Sequence, residues 1–327
     1  MRVTTHPPLS LRILADGLGF PEGPVMEPGR DGPAADLVVD IDSGRLLRVA
    51  EGEVSTVAHL GGGPNGMALV DAGTALVANN GGFLWTEVDG VRIPIDHATH
   101  TNEPPDFTGG WIERVDLASG RVERVCHHVD EEPLRGPNDL VVDEVGGVWF
   151  TDHGKGRLHS VDRGALYYLA PGGELRRVAF PLLGPNGVGL SPDDRTVYVA
   201  ETHTGRIWAW DLAEPGVVAP AAGSLAVRHG GRCLAATPFS LDSLAVEADG
   251  RLAVGAIGDG VIVVTPDGAE VDVHPIPGDV TTNLAFGGPD GRRTIITLSR
   301  SGRLAETRWP RPGLPLHPLD RPDRNRP

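Results

Sequence analysis

The stretch Gly63-Pro64-Asn65-Gly66-Met67-Ala68-Leu69-Val70, followed after a turn by Ala75-Leu76-Val77-Ala78, sets the fold, because its pattern returns along the whole chain. A polar residue flanked by Gly or Pro opens a short apolar strand, a turn follows, and a second apolar strand runs back. Gly136-Pro137-Asn138-Asp139-Leu140-Val141-Val142 precedes Val148-Trp149-Phe150-Thr151-Asp152 in this way. Gly184-Pro185-Asn186-Gly187-Val188-Gly189-Leu190 precedes Thr196-Val197-Tyr198-Val199-Ala200-Glu201. Looser copies begin at Phe20-Pro21-Glu22-Gly23-Pro24, at Leu241-Asp242-Ser243-Leu244 and at Thr282-Asn283-Leu284-Ala285.

The polar anchors of these six copies are Glu22, Asn65, Asn138, Asn186, Asp242 and Asn283, separated by 43, 73, 48, 56 and 41 residues. A four-stranded propeller blade occupies roughly 40–50 residues, so the spacing predicts an all-β, six-bladed β-propeller. The long gap predicts one insertion, placed at residues 92–110 and expected to cover the mouth of the ring without supplying ligands. Leu11-Arg12-Ile13-Leu14 is expected to complete the blade begun near Asn283. One domain over 1–309 and an extended Pro- and Arg-rich tail over 310–327 account for the chain. The 45 glycines and 29 prolines punctuate short apolar runs at regular intervals, the mark of turns between many strands.

Charge and hydropathy narrow the partners. A net charge of −15 disfavours nucleic acid and anionic membranes, which require a basic face. The longest uncharged stretch, residues 54–70, is 17 residues long and carries three successive glycines. A membrane-spanning helix needs about 20 mostly apolar residues, so no membrane span and a cytoplasmic location are the expectation. Cys126 and Cys233 are too few for a disulfide framework and are expected as buried small hydrophobes.

In a propeller the first strand of every blade lines the central channel, so the anchors face one mouth. One Glu, one Asp and four Asn form a ring of oxygen donors. Hard cations such as calcium take six to eight oxygens from carboxylates, amide carbonyls and water. No Cys or His occupies an anchor, which disfavours a thiolate-type site. Asn and Asp also serve turn backbones at strand ends, so it is the set in register, not any single Pro-Asn-Gly, that points to a cation.

Phe20-Pro21-Glu22-Gly23-Pro24, Arg135-Gly136-Pro137-Asn138-Asp139, Gly184-Pro185-Asn186-Gly187 and the run from Asp242 to Gly250 together resemble the gluconolactonase and regucalcin (senescence marker protein) family. The resemblance runs from about Leu11 to Arg303 and implies a calcium-dependent six-bladed propeller. It implies Glu22, Asn138, Asn186 and Asp242 as ligands of a divalent cation, calcium first, with zinc, magnesium or manganese as alternatives. Asp242 would also be the general base. Arg135 lies near where some members place a substrate-contacting arginine, and Asn65, a ligand in only some members, is assigned to the substrate. His153 stands where many members have proline, and with His203 it could reach one rim and line the pocket.

The resemblance implies metal-dependent opening of a lactone, sugar lactones included, as the activity on a small-molecule substrate. Two other readings share the same site: phosphotriester or fluorophosphate hydrolysis, and a non-catalytic calcium-binding propeller that docks a partner. Gly61-Gly62-Gly63-Pro64-Asn65-Gly66 formally matches a dinucleotide fingerprint, but a strand rather than a helix follows it. The chain's one lysine, Lys155, is the sole candidate for Schiff-base chemistry.

Overall fold

Side chains alternate across a strand, and here the two sides meet two different neighbours. In the strand Ala35–Asp40, Leu37 and Val39 pack in one apolar cluster and Val38 in another. In Gly260–Val264, Ile262 and Val264 face one cluster while Val261 and Val263 face the next. Both faces of a blade are therefore buried, which is why the strands read as continuous apolar runs rather than as alternating ones. Six such clusters occupy the six seams between successive blades, the last joining Ile295 and Leu304 to Val38 and Leu47. Complete burial of each Val, Leu or Ile contributes about 1.5–3 kcal/mol.

The structure is a computed structural model that describes residues 1–27, 35–220 and 229–319. Among the described residues there is no helix. The six antiparallel blades open on the inner strands Pro21–Glu27, Pro64–Asp71, Pro137–Val142, Pro185–Leu190, Leu241–Val246 and Thr281–Gly287. Each inner strand touches the next and the sixth touches the first, closing the ring. Arg12–Ala15 pairs antiparallel with Arg303–Arg308 and completes the sixth blade, as the sequence leads one to expect. Arg2–Thr5 adds a parallel strand to the outer edge of the fifth blade, beside Glu270–His274.

The insertion lies between the second and third strands of the second blade, Thr74–Asn79 and Trp111–Asp116. It begins at Asn80 rather than Arg92. Thr86–Val88 and Val91–Ile93 pair only with each other and add no strand to the blade. The start of a first strand and the connection from second to third strand share one end of an up-and-down blade. The insertion therefore sits on the same face of the ring as the anchors. It docks on the corresponding connection of the third blade: Asn102 N–H donates to Gly156 O at 3.1 Å, and Gly156 N–H to Asn102 Oδ1 at 2.8 Å.

The described part of the tail packs against the fifth and sixth blades. Leu314 N–H donates to Val246 O at 2.8 Å and Gly313 N–H to Gly291 O at 2.8 Å. Glu247, fully buried, accepts from Trp309 Nε1 at 2.7 Å and from Arg311 Nη2 at 2.9 Å. Residues 320–327 lie outside the described residues.

Candidate active site at the mouth of the ring

Strand register fixes which residues are equivalent. Pro21, Pro64, Pro137, Pro185 and Leu241 lie opposite the last residue of their partner strands: Asp40, Asn79, Asp152, Glu201 and Ala256. The residues that follow them, Glu22, Asn65, Asn138, Asn186 and Asp242, are brought to the mouth by a register shift in each blade. In the sixth blade the pair is Thr281 and Leu298, so the equivalent position is Thr282, not Asn283. Two polar residues in succession hid the one-residue slip, and a slip of one turns a side chain to the other side. Thr282 Oγ1 is spent on Thr297 Oγ1 at 2.9 Å and Ser299 Oγ at 2.6 Å. Asn283 instead reaches sideways, its Nδ2 donating to Glu22 Oε2 at 2.9 Å.

The five anchors are buried, between 2% and 8% exposed. Burial pushes the Glu22 carboxyl up to about 7, against the hydrogen bonds from Asn283 and from Gly23 N–H (2.9 Å). Burial also raises Asp242 well above the carboxylate range, and the charge of Glu22 adds to it. Asp139, one residue beyond an anchor, is raised to about 7 by burial and then by Glu22. Three carboxylates thus crowd one desolvated mouth. Asn138 Oδ1 is buried there with no hydrogen-bond partner, and Asn186 Oδ1 has only Ser243 Oγ at 3.4 Å.

Crowded carboxylates beside unsatisfied amide oxygens are a donor set with a missing positive charge, and they suit a hard divalent cation. Among the described residues no three or more His, Cys, Asp or Glu side chains form a metal-holding group. A cation here would therefore depend on the amide oxygens of Asn138 and Asn186 as well as on Glu22 and Asp242.

A second ring stands beside the anchors, made by the residue after each second strand. The backbone N–H groups of Ile41, Asn80, His153, Thr202, Ile257 and Ser299 donate to the carbonyls of Phe20, Gly63, Gly136, Gly184, Ser240 and Val280, at 2.8–3.0 Å. His153 is thus the structural counterpart of Asn80 and Thr202. Its ring meets His203 edge-on at 5.1 Å, and both imidazoles crowd Gly184, where a Cβ would come within 3.1 Å of each. Burial lowers His153 to about 4, so it stands neutral near pH 7. Thr202 Oγ1 accepts from Asn186 Nδ2 at 3.2 Å. The arc over blades two to four is polar, whereas on the opposite side Ile41 and Ile257 flank Ser299, whose hydroxyl is spent on Thr282 Oγ1 and Pro21 O.

Asn80 escaped the sequence reading because Asn79-Asn80-Gly81-Gly82 resembles an ordinary turn; its register with His153 is the feature that marks it. Arg135, expected at the substrate, directs Nε to Asp162 and Nη2 to Glu103, both at 3.0 Å, with its guanidinium 5.0 Å from the Phe107 ring. Arg157 joins the same two carboxylates. This quartet ties the insertion to the third blade. Lys155 is wholly buried beneath it, 4.2 Å from the Phe83 ring and 5.1 Å from that of Phe107. His97 and His100 of the insertion are exposed. Cys126 is half-buried, with its thiol pushed up to about 11 by burial, whereas Cys233 is exposed, contrary to expectation. Its place on the outermost paired strand of the fourth blade, Arg232–Ala236, leaves one side open.

Comparison with known proteins places this architecture. The family model described as SMP-30/gluconolactonase/LRE-like region matches residues 20–300. The chain is 28% identical over 204 residues to a gluconolactonase of Zymomonas mobilis, covering 58% of this chain and 55% of the relative. It is 33% identical over 177 residues to the lactonase drp35 of Staphylococcus saprophyticus, covering 53% and 51%. The matches thus span about half the length of these curated relatives. Among solved structures, a calcium-binding protein, regucalcin, from Agrobacterium tumefaciens superposes with a TM-score of 0.71 at 20% identity, covering 98% of this chain and 99% of the other. A gluconolactonase from Xanthomonas campestris gives 0.69 at 23% identity, covering 92% and 89%. At such identity the structural likeness speaks for the fold, and the family match over most of the chain decides membership: the chain belongs to the SMP-30/gluconolactonase/LRE-like family.

Proposed function

We propose that the protein is a divalent-cation-dependent lactonase, with calcium as the first candidate, held by Glu22, Asn138, Asn186 and Asp242. The observation that carries this reading is the unpartnered Asn138 Oδ1 beside the mutually repelling carboxylates of Glu22 and Asp242, in a desolvated mouth. The gluconolactonase and lactonase among the relatives support the substrate class. Held by Glu22, Asn138, Asn186 and Asp242, such a cation would supply Lewis-acid chemistry, polarising the lactone carbonyl and stabilising the developing oxyanion.

The chain's own groups do the rest. Asp242 accepts a proton from the attacking water as its oxygen bonds to the carbonyl carbon. It returns that proton to the ring oxygen as the carbon–oxygen bond breaks, giving the open hydroxy acid. Asn283 keeps Glu22 fixed through its 2.9 Å hydrogen bond, and Thr202 orients the Asn186 amide so that its oxygen stays available. The aromatic-lined insertion limits access of bulk water.

A panel of lactones and phosphotriesters, assayed with and without chelator, tests the reading. Lactone opening that chelator abolishes and calcium restores is expected. Turnover of phosphotriesters alone would replace it with the phosphotriesterase reading, and no turnover of either class would favour a calcium-binding propeller without catalysis.

A further inference from the structure

Two buried amide atoms at the mouth lack partners, and they have opposite chemistry. Asn138 Oδ1 is an acceptor and suits a cation. Asn80 Nδ2 is a donor, and it is equally buried and equally unpartnered. The amide orientation follows from its neighbours: Asn80 Oδ1 accepts from Gly82 N–H at 2.9 Å and from Lys155 Nζ at 3.1 Å. Flipping it would set an NH2 group against two donors, so the NH2 must point the other way.

That orientation is held firmly. Lys155 Nζ also donates to Gly82 O at 2.6 Å, and the Phe83 and Phe107 rings cover it. The amide lies directly over Gly63, where an added Cβ would fall 2.4 Å from Asn80 Oδ1 and 3.0 Å from Nδ2. Gly63 stands two residues before the anchor Asn65 and accepts the Asn80 N–H at 2.8 Å. Asn80 also occupies the ring position that His153 and Thr202 fill in the next two blades, so the three face one mouth.

We propose that Asn80 binds substrate: its Nδ2 donates to an oxygen of a hydroxylated lactone seated at the mouth, and so selects sugar-type lactones over unsubstituted ones. This rests on the lactonase reading above. A buried donor that is left idle by a substrate lacking the matching oxygen penalises that substrate, which is how such groups discriminate. Lys155 is the positioning residue, fixing the amide without touching substrate.

The test compares kcat/KM for gluconolactone and for δ-valerolactone in wild type, Asn80→Asp and Asn80→Ala. Asp keeps the acceptor for Gly82 and Lys155 and adds charge; Ala removes acceptor and donor alike. The loss common to both variants belongs to the donor. In both, the preference for gluconolactone is expected to fall about tenfold or more, chiefly through KM, with calcium affinity unchanged. An unaltered preference in either variant overturns the proposal. Should the wild type open neither lactone, the lactonase reading fails on its own, and calorimetric binding of the neutral lactam analogue of gluconolactone decides for Asn80. Affinity about tenfold weaker in both variants supports the donor role. Equal affinity, or no binding to the wild type, overturns it.

Discussion

Blades two to four and blades five to one share one strand geometry at the mouth and differ in what they place there. On the first arc the residues after the second strands are Asn80, His153 and Thr202; on the other they include Ile257 and Ile41. In the second blade the connection that follows runs from Asn80 to Gly110, whereas in the fifth it turns at once, Asp259 N–H donating back to Ala256 O at 2.9 Å. The anchors, by contrast, run through both arcs: Asn65, Asn138 and Asn186 on one, Glu22 and Asp242 on the other. Carboxylates thus stand on the side of Ile41, Ser299 and Ile257, and amides on the side of Asn80, His153 and Thr202. In a ring of six, the Asp242 blade lies across from the Asn80 blade. The proposed cation set thus draws on the whole ring, whereas the proposed recognition group Asn80 lies on the side that carries the long insertion.

The strongest way to break this division is to strike what both arcs share. Glu22→Gln removes one of two ligand charges and is expected to lower activity on every lactone at least a hundredfold, with calcium affinity by calorimetry falling in parallel. Calcium binding as in the wild type would remove Glu22 from the ligand set. Asp242→Asn keeps an oxygen donor but no base. A fall in kcat of about 100-fold or more is expected at saturating calcium, while the variant still binds the ion by equilibrium dialysis. Near-normal turnover would hand the base to another group.

Replacing residues 83–107 with a tight turn removes the brace of the polar arc alone. Calcium affinity should hold, and the ratio of kcat/KM between bulky and small lactones should shift by about tenfold; an unchanged selectivity profile would assign the segment to the outer rim. The smallest effect concerns His153. Its imidazole is held neutral down to about pH 4, against an unfolded value of 6.5, so the unfolded chain binds its proton first as pH falls. The stability it contributes is therefore complete above 6.5 and is lost between 6.5 and 4. His153→Gln should gain about 1–2 kcal/mol relative to the wild type between pH 7 and pH 4 in denaturant titrations, discounted because the ring is only partly buried. A gap that stays constant with pH would mean that this imidazole is not desolvated.

The repeat, the ring and five anchors were legible because Gly and Pro flank each anchor and because apolar runs of strand length recur at blade spacing. Asn283 stands in the sequence as the sixth anchor in place of Thr282, because composition cannot register a slip of one residue between adjacent polar side chains; only cross-strand pairing does. Asn80 was hidden because its neighbours Gly81 and Gly82 give a sufficient local account of it as a turn. Arg135 was placed near the right motif, yet its charge is spent on Glu103, far away in sequence and adjacent only through the docked insertion. Arg2–Thr5 was missed because a parallel partner needs no turn to announce it. Local chemistry is readable, and so is closure by Arg12–Ala15, because a sixth blade short of one strand demands it; side-chain contacts between distant segments are not.

The sixth blade takes three strands from the end of the chain and one from its beginning. During synthesis, Arg12–Ala15 leaves the ribosome long before its partner and stays unpaired until Arg303–Arg308 follows. Seams between the first five blades can pack as those blades arrive, but the circle stays open until Arg303–Arg308 has emerged and paired with Arg12–Ala15. Contacts of such long sequence separation form slowly, and an exposed strand edge invites pairing with another nascent chain. Ring closure is thus a late event: the sixth blade stands between the blades that carry Glu22 and Asp242, so these two side chains are brought to a common mouth only once it is in place.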